Sequence, residues 1–116
     1  MSIIASVVGA RPNFIKLKVV YDELNKLKSL THVVIHTGQH YDYEMSSVFF
    51  KEFDLPEPDY FLNVGSGSHG FQTGEMLKRV EEVLMRESPN LVLVYGDTNT
   101  TLAGALAAVK LRMPVA

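Results

Sequence analysis

Ile3-Ile4-Ala5-Ser6-Val7-Val8-Gly9 runs directly into Ala10-Arg11-Pro12-Asn13-Phe14-Ile15-Lys16-Leu17, and this junction decides the class of fold. The first part is short, almost wholly apolar and rich in β-branched residues, the pattern of a strand buried on both faces in a parallel sheet. Gly9 ends it. Pro12 suits the first turn of a helix, and Phe14, Leu17, Val20, Leu24 and Leu27 then recur at spacings of three and four. Lys16, Asp22, Glu23 and Lys26 fall on the other faces, so the segment reads as an amphipathic helix of about four turns.

The same alternation continues outward. Residues 32–37 read as a second strand closed by Gly38. Residues 42–54 read as a helix with Met45, Val48, Phe49 and Phe53 on its inner side, broken by Leu55-Pro56-Glu57-Pro58. Residues 60–64 suggest a third strand, followed by the loop Gly65-Ser66-Gly67-Ser68-His69-Gly70, either a tether or a flap over a site. Residues 73–87 form a third helical pattern, with Met76, Leu77, Val80, Val83 and Leu84 as its apolar stripe. Residues 91–95 are a fourth apolar strand ended by Gly96, and residues 98–111 an alanine-rich helix. Gly104 inside that helix costs about 1 kcal/mol in propensity and points to close packing on the sheet. Pro114-Val115-Ala116 opens a fifth strand. The expectation is a single Rossmann-like α/β domain over residues 1–116, a parallel sheet of order 3-2-1-4-5 with helices on both faces. A sequence stopping about three residues into a strand is expected to be part of something longer.

Composition narrows the function. With 116 residues, 47% of them hydrophobic, one domain with a real core is the limit. A formal net charge of −2 argues against a basic nucleic-acid platform. There are no cysteines, which excludes disulfide scaffolds, thiolate metal sites and cysteine nucleophiles. The apolar start has no basic flank and is too short for a signal peptide, and no run approaches a membrane span. A soluble cytoplasmic domain without nucleic-acid or membrane partners is expected.

In a doubly wound sheet, ligands lie beyond the carboxyl ends of the strands where strand order reverses. Order 3-2-1-4-5 puts that crevice between the first and fourth strands, at Gly9-Ala10-Arg11-Pro12-Asn13 and Gly96-Asp97-Thr98-Asn99-Thr100. Each stretch leads from a glycine into a helix N-terminus, where free N–H groups and the helix dipole favour an anion. Arg11 adds a bidentate phosphate donor and Lys16 a point charge one turn on; Arg11 as a solvated surface residue stays open. Gly9 has no glycine partner two or five residues on, and no Lys-Ser/Thr pair follows, so this is neither a dinucleotide fingerprint nor a P-loop. Asp97 is either a helix N-cap or a general acid or base beside a bound anion. Thr98, Asn99, Thr100 and Thr101 serve a ligand or compete to cap the helix. His36 and His40 lack a completing ligand set, so no metal site is expected; His40 is available to bond a polar ligand.

GARPNFIK at the first strand–helix turn, TGQH after the second strand and YGDTNTTLAGALAA after the fourth resemble the non-hydrolysing UDP-N-acetylglucosamine 2-epimerases. The similarity runs from Val8 to Ala116, with the motifs in family order and at similar spacing. It implies a glycosyltransferase-B architecture of two Rossmann-like domains, this sequence matching the front part of the N-terminal one. It also implies inversion at C2 of UDP-GlcNAc to UDP-ManNAc, by elimination of UDP and its re-addition, without metal or nicotinamide. By family position, Arg11 and Lys16 bind substrate, Asp97 is a catalytic acid/base, and Gln39 and His40 belong to a second, allosteric nucleotide-sugar site. UDP-GlcNAc, UDP and a second copy of the chain are the expected partners. The family's HVEAGLR segment, which carries a catalytic glutamate, would follow Ala116, so the 116 residues alone are not expected to turn over. Phe71 stands near where bacterial members carry an arginine. A glycosyltransferase of the same architecture, or a non-catalytic module dimerising through a sheet edge, are the alternatives.

Overall fold

The computed structural model describes residues 2–38, 43–65, 67–96 and 98–116. The alternation written in the sequence appears as β1 (Ser2–Val8), α1 (Arg11–Leu24), β2 (Leu30–His36), α2 (Tyr43–Glu52), β3 (Tyr60–Phe61), α3 (His69–Glu87), β4 (Leu91–Val94) and α4 (Asn99–Lys110). The strands make one parallel sheet of order β3-β2-β1-β4. Val8 pairs with His36 on one side of β1, and Val7 with Val94 on the other, so these strand ends are level with one another. Past α4 the chain returns beside β4: Val115 bridges Val92 in parallel, and Val94 N–H donates to the Ala116 carbonyl at 2.9 Å. The expected order 3-2-1-4-5 is therefore present.

Successive side chains of a strand face opposite ways, so the buried β1 feeds two cores. Val8 joins Phe14, Leu17, Val34, Phe50, Leu55 and Tyr95 under α1 and α2. Ala5 and Val7 join Val33, Ile35, Val80, Val83, Leu84, Val92, Ala107 and Ala108 under α3 and α4. Double-sided burial is why β1 reads as an unbroken apolar run. Gly104 lies where α4 presses on the sheet, and a Cβ there would stand 3.0 Å from Val94 Cγ1 and 3.2 Å from Val7 Cβ.

Four expectations about the elements need correction. The inner face of α2 is formed by Ser46 and Phe50, with Phe49 and Phe53 half-buried, while Met45 and Val48 are 49% and 61% exposed. Two apolar stripes compete on this helix; the one with three phenylalanines buries more area and turns Phe50 onto Phe14, ring centroids 5.0 Å apart. α1 stops at Leu24, so Leu27 lies beyond the helix in a turn and is 53% exposed. α3 begins four residues earlier than its apolar stripe suggests, because Ser68 caps it by accepting from Phe71 N–H at 3.3 Å. His69 and Gly70 are thus helical rather than loop. β3 is only two residues long.

Candidate functional site

The carboxyl ends of β1, β2 and β4 and the N-termini of α1 and α4 meet at Gly9. The hydroxyls of Thr37 and Thr100, both fully buried, hydrogen-bond to each other at 3.0 Å. A Cβ on Gly9 would collide with both oxygens. Only a glycine lets β1 end here and turn into α1 with this threonine pair against it. Thr100 also donates to Met76 Sδ at 3.3 Å, which ties the first turn of α4 to α3.

Asn13 holds the β1–α1 turn from inside. Its side chain is 1% exposed. Oδ1 accepts from Gly9 N–H at 3.0 Å and from Ala10 N–H at 3.2 Å, and Nδ2 donates to the Tyr95 carbonyl at 2.8 Å. The same carbonyl accepts from the Thr101 hydroxyl at 2.6 Å. The Gly9 and Ala10 amides are therefore not free donors for a ligand, contrary to the expectation for this turn. What this turn still offers an anion is the positive end of the α1 dipole and, among the described side chains, the ammonium of Lys16.

Gly96 follows Tyr95 with φ +84°. A Cβ there would sit 3.5 Å from Asn13 Nδ2 and 3.6 Å from Lys16 Nζ. The structure thus brings Lys16, an exposed residue of α1, over the loop that leads to Asp97. The N-cap of α4 is Thr98, not Asp97, and the Thr98 side chain makes no capping bond. Asp97, Gln39, His40 and the Arg11 side chain lie outside the described residues, although the backbone of α1 starts at Arg11.

On the far side of α4's first turn, Asn99 Nδ2 is 2.9 Å from His69 Nδ1 and donates to Gln72 Oε1 at 2.9 Å. Gln72 Nε2 in turn donates to the Gly65 carbonyl at 2.9 Å. The loop before α3 is thereby linked to the segment after Gly96. Asn99 serves α3 and Thr101 serves Tyr95; neither caps α4.

His36 is fully buried among Phe14, Phe50 and Phe61, with ring centroids 5.1, 5.8 and 4.9 Å away. Gly38 N–H donates to its Nδ1 at 2.9 Å, which leaves the ring hydrogen on Nε2. Burial pulls its pKa down to about 4, so the ring is neutral at physiological pH. It is a core residue of β2. Among the described residues no group of three His, Cys, Asp or Glu is placed to hold a metal ion, and no helix is long and apolar enough to cross a membrane.

A cavity of about 350 Å³ beside β3 and α3, and one of about 250 Å³ at the far end of α1, are lined by none of these loop residues.

Composition and motif order draw attention to Gly9, Arg11, Lys16 and Asp97. They do not single out Asn13 or the Thr37–Thr100 pair. The one local clue to Asn13 is its place three residues after the helix cap, where a polar side chain reaches back to the cap N–H.

Residues 22–116 match the protein family described as UDP-N-acetylglucosamine 2-epimerase. A Methanococcus maripaludis protein named UDP-N-acetylglucosamine 2-epimerase homolog is 59% identical over 113 residues, covering 97% of this chain and 31% of its own length. The UDP-2,3-diacetamido-2,3-dideoxy-D-glucuronate 2-epimerase of Pseudomonas aeruginosa is 50% identical over 113 residues, with 97% of this chain and 32% of its own length covered. The crystal structure of Methanocaldococcus jannaschii UDP-GlcNAc 2-epimerase in complex with UDP-GlcNAc and UDP superposes with a TM-score of 0.92 at 49% identity, over 98% of this chain and 31% of that one. The Neisseria meningitidis UDP-GlcNAc 2-epimerase bound to UDP-GlcNAc superposes with a TM-score of 0.87 at 35% identity, over 99% of this chain and 30% of that one. The chain spans about a third of the length of the curated relatives it matches. Sequence match and superposition agree with the loop architecture around Gly9 and Gly96: this chain belongs to the UDP-N-acetylglucosamine 2-epimerase family.

Proposed function

We propose that these 116 residues form the N-terminal Rossmann-like portion of a two-domain, glycosyltransferase-B-type enzyme that inverts C2 of UDP-GlcNAc to give UDP-ManNAc. The observation that carries this is the junction at Asn13 and Gly96. It brings Lys16 and the N-terminal end of α1 beside the loop that continues into Asp97. Positive charge for a diphosphate and a carboxylate for proton transfer are the two things the chemistry requires.

The C2 proton of the sugar is not next to a carbonyl, so direct removal and return of that proton is unfavourable. Elimination avoids this. A base takes the C2 proton, the C1–O bond to UDP breaks with its electron pair leaving on the phosphate oxygen, and a C1=C2 double bond forms. Re-addition returns the phosphate oxygen to C1 and a proton to C2 from the opposite face. Arg11 and Lys16 hold UDP as it gains charge and keep it in place between the two halves. Asp97 is the acid/base in this chain. Gln39 and His40 contribute to a second nucleotide-sugar site. The working enzyme is a cytoplasmic homodimer; both of these parts of the proposal rest on family membership, not on the loop geometry.

In this reading the part of the relatives' length that this chain does not span supplies the rest of the active site. The test is therefore a chimaera in which this chain replaces the matching third of the M. jannaschii relative. Epimerisation of UDP-GlcNAc is expected, and Asp97→Asn is expected to lower its rate by roughly 10²–10⁴-fold. Full activity in that variant contradicts the role given to Asp97, and transfer of the sugar to an acceptor with stoichiometric release of free UDP would make the parent a glycosyltransferase.

A second reading has specific support: the P. aeruginosa relative is named for a 2,3-diacetamido glucuronate nucleotide sugar. The same C2 inversion then acts on a sugar altered at C3 and C6. Parallel assays with the two nucleotide sugars separate the readings.

A further inference from the structure

We propose that Asn13 is a positioning residue that couples the two loops of the crevice, so that sugar-nucleotide binding at the α1 side is felt at the loop leading to Asp97. This rests on the sugar-nucleotide reading of the crevice. Asn13 touches no proposed ligand group; it acts through the residues on either side.

The argument starts from donors and acceptors. Gly9 N–H and Ala10 N–H both need an acceptor, and the Tyr95 carbonyl lies on the opposite side of the same side chain. Only an amide offers an acceptor oxygen with two lone pairs and a donor nitrogen on one flat group. The network also settles which way the amide faces, because the flipped form would set N–H against N–H and oxygen against oxygen. Aspartate has the same shape but would oppose the Tyr95 carbonyl with a second oxygen. Alanine leaves two buried N–H groups without their acceptor.

Nothing else among the described residues joins these two loops so directly. Thr101 also reaches the Tyr95 carbonyl, but from α4, on the same side of the junction. The Thr37–Thr100 pair packs against Gly9 from the β2 and α4 side. Asn13, buried at 1% exposure, is the strut between β1–α1 and β4–α4, and Lys16 stands one turn beyond it, near Gly96.

The experiment is an NMR titration of this chain with UDP-GlcNAc, following backbone amides in both loops. In the wild type, Gly9 and Ala10 on one side and Gly96 and Thr98 on the other are expected to shift together, with one apparent Kd. In Asn13→Asp and Asn13→Ala, binding is expected to weaken by at least about tenfold, with the Gly96 and Thr98 signals no longer following those of Gly9 and Ala10. A structural role alone would lower the unfolding temperature and leave the two sets moving together, which overturns the proposal. Should either variant fail to fold, the wild type supplies the test. The Asn13 side-chain NH₂ protons are expected to exchange slowly and to become more protected when UDP-GlcNAc binds; protons that exchange freely overturn it. If the wild type binds UDP-GlcNAc and the variants bind as tightly, the coupling is wrong while the site stands. A wild type that shows no response at millimolar UDP-GlcNAc overturns the reading of the site, and the proposal with it.

Discussion

His36 shows at the residue scale how burial alone assigns a role. A histidine at a strand end beside a crevice invites a ligand or proton-transfer function, yet this one is enclosed by three phenylalanine rings and bonded to Gly38. Its ring stays neutral in the folded chain down to about pH 4, whereas in the unfolded chain it takes up a proton near 6.5. The unfolded state therefore gains protons first as pH falls. Stability from this residue is complete above about pH 6.5 and drains away towards pH 4, by a total of ~3 kcal/mol. His32 is shifted in the same direction by burial, so removing His36 flattens the acid limb without abolishing it. Urea unfolding at pH 7.5 and 4.5 checks this: wild type is expected to lose more stability than His36→Asn over that interval, and equal losses would contradict it. Lys16 and Gly9 are legible in the sequence because residue type alone marks a charge or a tight turn. Asn13 is not. Its value depends on Tyr95, 82 positions away, and no local spacing encodes that contact.

Among the elements, α2 carries the clearest lesson. Apolar residues at 45, 48, 49, 50 and 53 allow two inward stripes, and periodicity alone does not choose between them. Packing chooses the aromatic one, since Phe50 meets both Phe14 and His36. Phe50→Ala is accordingly expected to cost roughly 3–5 kcal/mol, and Val48→Lys to stay within about 0.5 kcal/mol. Denaturation midpoints of the two variants measure both, and a large loss from Val48→Lys would mean that the helix faces the other way. Strands are easier to read than helix boundaries: β1, β2 and β4 are buried on both faces and announce themselves as apolar runs. The start of α3 is hidden because its first turn, His69-Gly70-Phe71, is polar or exposed and owes its helical state to the Ser68 cap.

At the scale of the whole molecule, strand order does the positioning. The chain passes from β1 outward to β3, then α3 crosses back over the sheet so that β4 pairs with the other edge of β1. The two loops at that reversal necessarily point to one crevice, which is why the order of apolar runs and glycine turns along the chain is enough to foresee which loops lie side by side. The depth of the crevice is not encoded in that order, because it depends on which side chains of distant segments meet there. Lys16→Ala is expected to weaken UDP binding by about tenfold, the loss of one partly exposed charge contact to a phosphate, with little change in the unfolding temperature. Calorimetry on the two proteins checks it; unchanged affinity would remove Lys16 from the site.

The most direct test of the central claim is to map where UDP binds on this chain, by following backbone amide signals as UDP is added. The epimerase account predicts that the largest shifts fall on Gly9, Ala10, Lys16, Gly96 and Thr98, at the carboxyl ends of β1 and β4. Shifts centred instead on the cavity lined by Tyr60, Arg79 and Arg86, or none at millimolar UDP, would contradict it.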